Sequence, residues 1–145
     1  MRRNGFTLLE MLVVLVVLGL AVGLVIGHEP HRSRTLQARV VAGEVARTLR
    51  EARGQAIARN RTVLVAVDPA RHAMAVDGGR IRLLPAEVGL AMRGEVEGRG
   101  VGGIRFAPDG SASGGRIELS DQGLRIDIAV NWLTGRVEVR DAPAS

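Results

Sequence analysis

The chain has 145 residues, a formal net charge of +5 and no cysteine. This length predicts one globular domain, and the lack of cysteine excludes a disulfide framework. All 20 basic residues are arginine, and the only aromatic residues are Phe6, Phe106 and Trp132. A dedicated nucleic-acid surface usually combines clustered basic residues with aromatic side chains, so the composition does not favour that class of function.

The N-terminal segment from Phe6 to Gly27 carries a single charged residue, Glu10. As a helix, these 22 residues would extend about 33 Å, which matches the roughly 30 Å hydrocarbon core of a membrane. A carboxylate is costly to place in lipid, so its presence in this segment indicates a use. We therefore expect residues 6–27 to form a transmembrane helix, with the amino end in the cytoplasm and the rest of the chain outside it.

The sequence Gly-Phe-Thr-Leu-Leu-Glu at residues 5–10 resembles the N-terminal segment of type IV pilins and of type II secretion pseudopilins. The resemblance implies that a prepilin peptidase cleaves between Gly5 and Phe6 and then N-methylates the Phe6 amine. Residues 1–5 would be the leader. The resemblance also implies that Glu10 aids assembly by meeting the Phe6 amine of a neighbouring subunit. A contact of Glu10 with the amine of its own chain, one helical turn away, is the alternative.

A second helix is predicted over Leu36–Asn60, after a polar stretch in which Pro30 can end or kink the first helix. Its apolar residues fall on one helical face at the spacing 4-4-3-4. They are Val41, Val45, Leu49, Ala52 and Ala56. The resemblance implies one long, bent helix from about residue 6 to about residue 60, in which residues 28–60 continue the helix into the periplasm.

Residues 61–145 show the two-residue period of β-strands and predict a β-rich domain. About seven strands are expected, with turns at 77–79, 108–110, 121–123 and 133–135. The first, Thr62–Val67, is nearly all apolar and is predicted to be buried on both faces. The segment 93–103, rich in glycine and charge, is predicted to be a mobile loop. The fold class is therefore α+β, a long N-terminal helix followed by a small antiparallel β-sandwich or by twisted sheets packed against the helix. After the first strand, Thr62–Val67, the predicted strands are 73–76, 80–84, 104–106, 116–120, 124–130 and 136–140.

Three further segments, 49–60, 106–115 and 133–139, are similar to the H-type minor pseudopilins of type II secretion. This resemblance implies a structural protein, not an enzyme, in the periplasmic pseudopilus. It implies a single-pass inner-membrane protein whose partners are other pseudopilins, the prepilin peptidase and the inner-membrane secretion platform. One alternative is a minor type IV pilin of a pilus or DNA-uptake system that binds DNA through C-terminal arginines. A plain anchored periplasmic domain is the other. In the DNA-binding alternative, the arginines that would contact DNA are Arg116, Arg125, Arg136 and Arg140.

The sequence contains no pattern typical of a catalytic or metal site. The three histidines, His28, His31 and His72, lie near the membrane segment or in a turn, and Pro30 interrupts the pair at spacing three. No dense acidic loop offers the converging oxygen ligands that calcium requires. We therefore predict no catalytic residue, no metal and no cofactor.

Overall fold

The computed structural model describes residues 7–26, 32–97, 101–121 and 123–143. The chain divides into two compact units, Met1–His31 and Arg32–Ser145. Helix α1 (Leu8–Ile26) belongs to the first unit. In the described ranges, no helix is long and apolar enough to cross a membrane. The predicted kink at Pro30 and the continuity of one helix from residue 6 to residue 60 lie outside the described residues.

Helix α2 (Arg32–Ala58) begins the second unit and confirms the predicted apolar face. Val41, Val45, Leu49, Ala52 and Ala56 are each at most 3% exposed. Alanine is frequent on this buried face, which lets the helix approach the sheets closely. The 4-4-3-4 spacing therefore identified the side of α2 that faces the core.

Nine strands follow in the described part of the second unit and form two antiparallel sheets. The five-stranded sheet has the order β3-β2-β1-β6-β5, and the four-stranded sheet has the order β4-β7-β8-β9. The strands are β1 (Val63–Asp68), β2 (Ala73–Val76), β3 (Arg82–Leu83), β4 (Gly89–Arg93), β5 (Glu95–Glu97), β6 (Val101–Phe106), β7 (Gly115–Asp121), β8 (Leu124–Val130) and β9 (Val137–Pro143).

The hydrophobic core lies between α2 and the inner faces of both sheets. Its largest fully buried side chains come from three strands and the helix: Leu49, Ile104, Phe106, Ile117, Leu119, Ile126 and Ile128. Burial of such side chains contributes about 1.5–3 kcal/mol each. The α+β prediction, with a helix followed by antiparallel sheets, is confirmed.

The predicted mobile loop over 93–103 is wrong for the residues described. Arg93 ends β4, Glu95–Glu97 forms β5, and Val101–Phe106 forms β6, so this stretch crosses from one sheet to the other. The glycine content of this stretch did not indicate a loop, because glycine also allows strands and side chains to pack closely. A Cβ on Gly102 would lie 2.5 Å from the sulfur of Met92, so a side chain at this position would have to displace Met92.

Strand β1 differs from its prediction because only one of its faces is buried. Val63, Val65 and Val67 are at most 1% exposed, whereas Leu64 and Ala66 are half-buried on the outer face of the sheet. The strand lies in the middle of its sheet, between β2 and β6. Helix α2 packs against this strand on the side of the three valines, which belong to the same buried cluster as its apolar face.

The hairpin predicted at residues 77–79 is present between β2 and β3. Asp77 and Gly78 both have positive φ angles, 51° and 65°, and the Gly79 N–H donates to the Val76 carbonyl at 2.9 Å. These φ values are those of the type I′ turns that suit hairpins. Asp-Gly-Gly was therefore a reliable sequence signal for this turn.

Candidate functional site

The first candidate site is the start of α1. The N–H of Glu10 donates to the carbonyl of Thr7 at 3.0 Å and to its hydroxyl at 3.3 Å. Thr7 thus caps the helix, and Thr7-Leu-Leu-Glu10 has the Thr-x-x-Glu spacing of a capping box. This role of Thr7 was not among the predictions from the sequence, although the spacing would have shown it. Gly5 and Phe6, the predicted processing residues, lie outside the described residues.

The second candidate site is a junction where the three segments 49–60, 106–115 and 133–139 meet. The Nε–H of Arg53 on α2 donates to the carbonyl of Gly110 at 2.9 Å. Gly135, with φ +61°, packs against both groups, and a Cβ there would lie 2.7 Å from Arg53 Nε and collide with the Gly110 carbonyl. Arg50 also donates to the Val137 carbonyl at 3.4 Å. The separate sequence segments are therefore one structural feature.

The turn between β8 and β9 is held by Asn131. Its side-chain oxygen accepts hydrogen bonds from the N–H groups of Leu133 and Thr134, both at 3.0 Å, and from the Thr134 hydroxyl at 3.1 Å. Its backbone N–H donates to the Arg136 carbonyl at 3.0 Å. This is an Asx-type turn, which fixes the backbone while leaving side chains at its tip in solvent.

The tip of this turn exposes two large apolar side chains. Trp132, the single tryptophan of the chain, is 65% exposed, and Leu133 is 63% exposed. The neighbouring loop supports the turn, because the Ala112 N–H donates to the Trp132 carbonyl at 2.8 Å. The sequence placed Trp132 beside a predicted turn, but its presentation to solvent was not predicted.

Two aspartates stabilise turns in the second unit, Arg32–Ser145. Two groups hold the pKa of Asp77 below its usual value. The Leu64 N–H donates a hydrogen bond to the Asp77 carboxylate at 2.9 Å, and the guanidinium of Arg61 lies 2.6 Å from it. In the loop before β7, the hydroxyl and the N–H of Ser111 lower the pKa of Asp109 by donating hydrogen bonds at 2.6 Å and 2.9 Å. Both carboxylates therefore accept the hydrogen bonds of these turns in their charged form.

The C-terminal arginines named as a candidate DNA site lie around the four-stranded sheet, and each forms an ion pair. Arg116 pairs with Asp127 at 3.1 Å and Arg125 with Glu118 at 2.9 Å. Glu138 lies 3.7 Å from Arg136 and 2.6 Å from Arg140. These carboxylates offset much of the positive potential that a phosphate backbone would need. Among the residues that the structure describes, no group of three or more His, Asp or Glu side chains could hold a metal ion.

Comparison with known proteins adds an independent line of evidence. The model of the family described as "Type II transport protein GspH" matches residues 41–134. The chain belongs to this family. A second model, "Prokaryotic N-terminal methylation motif", matches residues 1–26. The chain is also similar to "Type II secretion system protein H" of Xanthomonas campestris pv. campestris. The two are 34% identical over 143 residues, which cover 97% of this chain and 83% of the relative.

Solved structures show the same fold at low sequence identity. The minor pseudopilin EpsH from the type 2 secretion system of Vibrio cholerae has a TM-score of 0.56 and 11% identity, over 74% of this chain and 97% of that chain. The type IV minor pilin FimU of Pseudomonas aeruginosa has a TM-score of 0.58 and 14% identity, over 77% and 92% of the two chains. The predicted resemblance to H-type minor pseudopilins is confirmed, and the GspH-family chain has a pilin-like fold.

Proposed function

We propose that this GspH-family chain is a structural subunit that is processed by a prepilin peptidase and assembles into the periplasmic pseudopilus of type II secretion. One observation carries the proposal. A methylation motif over residues 1–26 and a GspH match over residues 41–134 occur on one chain in the order that a processed filament subunit requires. Its role is then to bind other subunits rather than to catalyse a reaction.

Processing would place a charged amine directly before the helix cap. Cleavage between Gly5 and Phe6 leaves Phe6 as the first residue, and Thr7 caps α1 immediately after it. Glu10 lies in the first turn of the same helix. A Phe6 ammonium and a Glu10 carboxylate each offset the cost of burying the other, because their attraction is strong where the dielectric is low. The partner amine in the assembled filament is that of a neighbouring subunit.

The proposed membrane anchor is residues 6–27, which include α1 and extend beyond its described ends. The 19 residues of α1 contain one charged side chain, Glu10. We propose a single pass through the inner membrane, with residues 28–145 in the periplasm. The partners that follow are the prepilin peptidase, the inner-membrane secretion platform and the other pseudopilins.

A pair of variants in the native secreting host tests the proposal. Gly5→Val should block cleavage, because it replaces the residue directly before the proposed cleaved bond with a bulkier one within the matched motif. Glu10→Ala should be cleaved normally but should no longer co-isolate with the other pseudopilins, and secretion should fall at least tenfold. Glu51→Ala is the matched control, because its carboxylate is exposed on α2 and, among the described residues, pairs with Arg47 one turn away. Normal co-isolation of Glu10→Ala would contradict the proposed pairing.

A further inference from the structure

An open groove of about 810 Å³ lies beside the β8–β9 turn. We call it the Trp132 groove and define it by Arg93, Arg116, Trp132, Arg136, Glu138 and Arg140. Its walls come from β4, β7, β8, β9, the segment directly before β7 and the turn between β8 and β9. Four of its six defining residues are arginines and one is a glutamate, so the groove has a net positive charge.

The Trp132 groove has the composition of a protein-binding hot spot. Trp and Arg are the residue types most often found where truncation costs the most binding energy. Trp132 is 65% exposed and Leu133 beside it is 63% exposed, although the Asn131 hydrogen bonds hold their backbone in one conformation. A rigid turn that presents large apolar side chains loses little entropy when it binds.

The charge of the groove selects an acidic occupant. Glu138 contacts two of the four arginines, and Arg116 contacts Asp127, so the groove keeps a moderate rather than a strong positive charge. A nucleic acid would place phosphates against Glu138, and in the described part of this groove it would find a single aromatic side chain on which to stack. An acidic protein segment with a few carboxylates and one apolar side chain matches both features.

A second copy of the chain is a poor source of that segment. In the part of the chain that the structure describes, eight carboxylates already form ion pairs with arginines of the same chain. The whole chain has 15 acidic residues and a formal net charge of +5, which becomes +3 when Arg2 and Arg3 leave with residues 1–5, so two processed copies still repel at long range. The complementary surface therefore belongs to a different, more acidic chain.

We propose that the Trp132 groove binds an acidic, extended segment of a different pseudopilin subunit, with Trp132 and Leu133 packed against an apolar side chain of that segment. This inference rests on the proposed function, because it takes the partner to be a component of the same filament. The carboxylates of the segment pair with Arg93, which ends the edge strand β4, and with Arg136, which directly precedes the opposite edge strand β9. Arg140 stays paired with Glu138 at 2.6 Å.

Site-specific photo-cross-linking of the full-length chain in its native secreting host tests the inference. The photoreactive residue p-benzoylphenylalanine replaces Trp132 in one variant. It replaces Leu83 in the control, because Leu83 is 74% exposed but lies in β3 on the other sheet. Mass spectrometry identifies the cross-linked peptide. We expect the adduct at position 132 to contain an Asp- and Glu-rich segment of another pseudopilin, at a yield at least fivefold above that of position 83.

Charge reversal provides the second arm of the experiment. Arg93→Glu with Arg136→Glu should reduce the cross-linking yield at position 132 at least fivefold. Arg71→Glu is the matched control, because Arg71 is 82% exposed and lies between β1 and β2 of the other sheet, and it should leave the yield unchanged. An unchanged yield in the double variant would overturn the proposal. So would an adduct with nucleic acid or with a second copy of the chain, or the absence of an adduct at position 132.

The wild-type chain in the same cells separates this inference from the proposed function. If the wild-type chain is processed and co-isolates with other pseudopilins while position 132 gives no adduct, the Trp132 groove is not the contact and the proposed function stands. If the wild-type chain is neither processed nor co-isolated, the proposed function itself is wrong.

Discussion

The junction at Gly135 gives the sharpest prediction about stability. Alanine at this position would have to adopt a φ of +61°, which costs about 1–2 kcal/mol for a residue with a Cβ. Its Cβ would also lie 2.7 Å from Arg53 Nε and 2.9 Å from Arg53 Cδ. Overpacking of this kind costs about 1–3 kcal/mol. Displacement of Arg53 would weaken its hydrogen bond to Gly110, so we expect Gly135→Ala to lower the free energy of unfolding by about 3–5 kcal/mol.

Gly78→Ala is the matched control for this substitution. Gly78 has a φ of +65°, nearly that of Gly135, but nothing lies within 4 Å of the position its Cβ would occupy. This variant should therefore lose only the backbone contribution, about 1–2 kcal/mol. Urea unfolding of the full-length chain in detergent, followed by circular dichroism, measures both values. If Gly135→Ala is no less stable than Gly78→Ala, the three segments are not locked together at this junction.

Two further predictions concern the core and the pH dependence. Leu49→Ala should lower the free energy of unfolding by about 2–5 kcal/mol, because Leu49 is fully buried. Val40→Ala is the control on the same helix: Val40 is 61% exposed, so this variant should change the free energy of unfolding by less than about 0.5 kcal/mol. Asp77→Asn should cost about 1 kcal/mol at pH 7, since the hydrogen bonds that lower the pKa of Asp77 favour its charged form.

The pH dependence of the Asp77 effect has a definite sign. Because the pKa of Asp77 is lowered in the folded state, the carboxylate contributes its stability above the pKa of an aspartate in the unfolded chain, about 3.9. That contribution is lost as the pH falls through the folded value. The difference between wild type and Asp77→Asn should therefore shrink below about pH 4. A difference that stays constant from about pH 7 to about pH 3 would show that the charge of Asp77 is not responsible.

The elements that the sequence predicted well are those specified by local patterns. The buried face of α2 follows from the helical spacing of Val41 through Ala56, and the turn at Asp77-Gly78 follows from its residue types. Strands β7, β8 and β9 alternate apolar with charged residues, because one face of their sheet meets the core and the other meets solvent. Each of these signals lies within a few residues along the chain.

The features that the sequence did not predict depend on contacts between distant segments. Strands β4, β5 and β6 lie in a glycine-rich stretch in which Gly89, Gly102 and Gly103 pack closely against Ser120, Met92 and Leu64 respectively. The Arg53–Gly110–Gly135 junction joins Arg53 to a carbonyl 57 positions further along the chain, and no local pattern encodes it. The local Asn131 turn that exposes Trp132 is supported by a distant segment, through the hydrogen bond from the Ala112 N–H to the Trp132 carbonyl. The candidate binding surface therefore became visible only in the folded chain.

Entry of the chain into the prepilin pathway is the central claim, and the intact mass of the protein tests it most directly. The measurement is made on protein isolated from the membranes of cells that contain a prepilin peptidase. We predict a mass that lacks Met1–Gly5 and carries one additional methyl group on Phe6. An unmethylated chain that retains its first five residues would contradict this claim and would leave a simple membrane-anchored domain as the explanation.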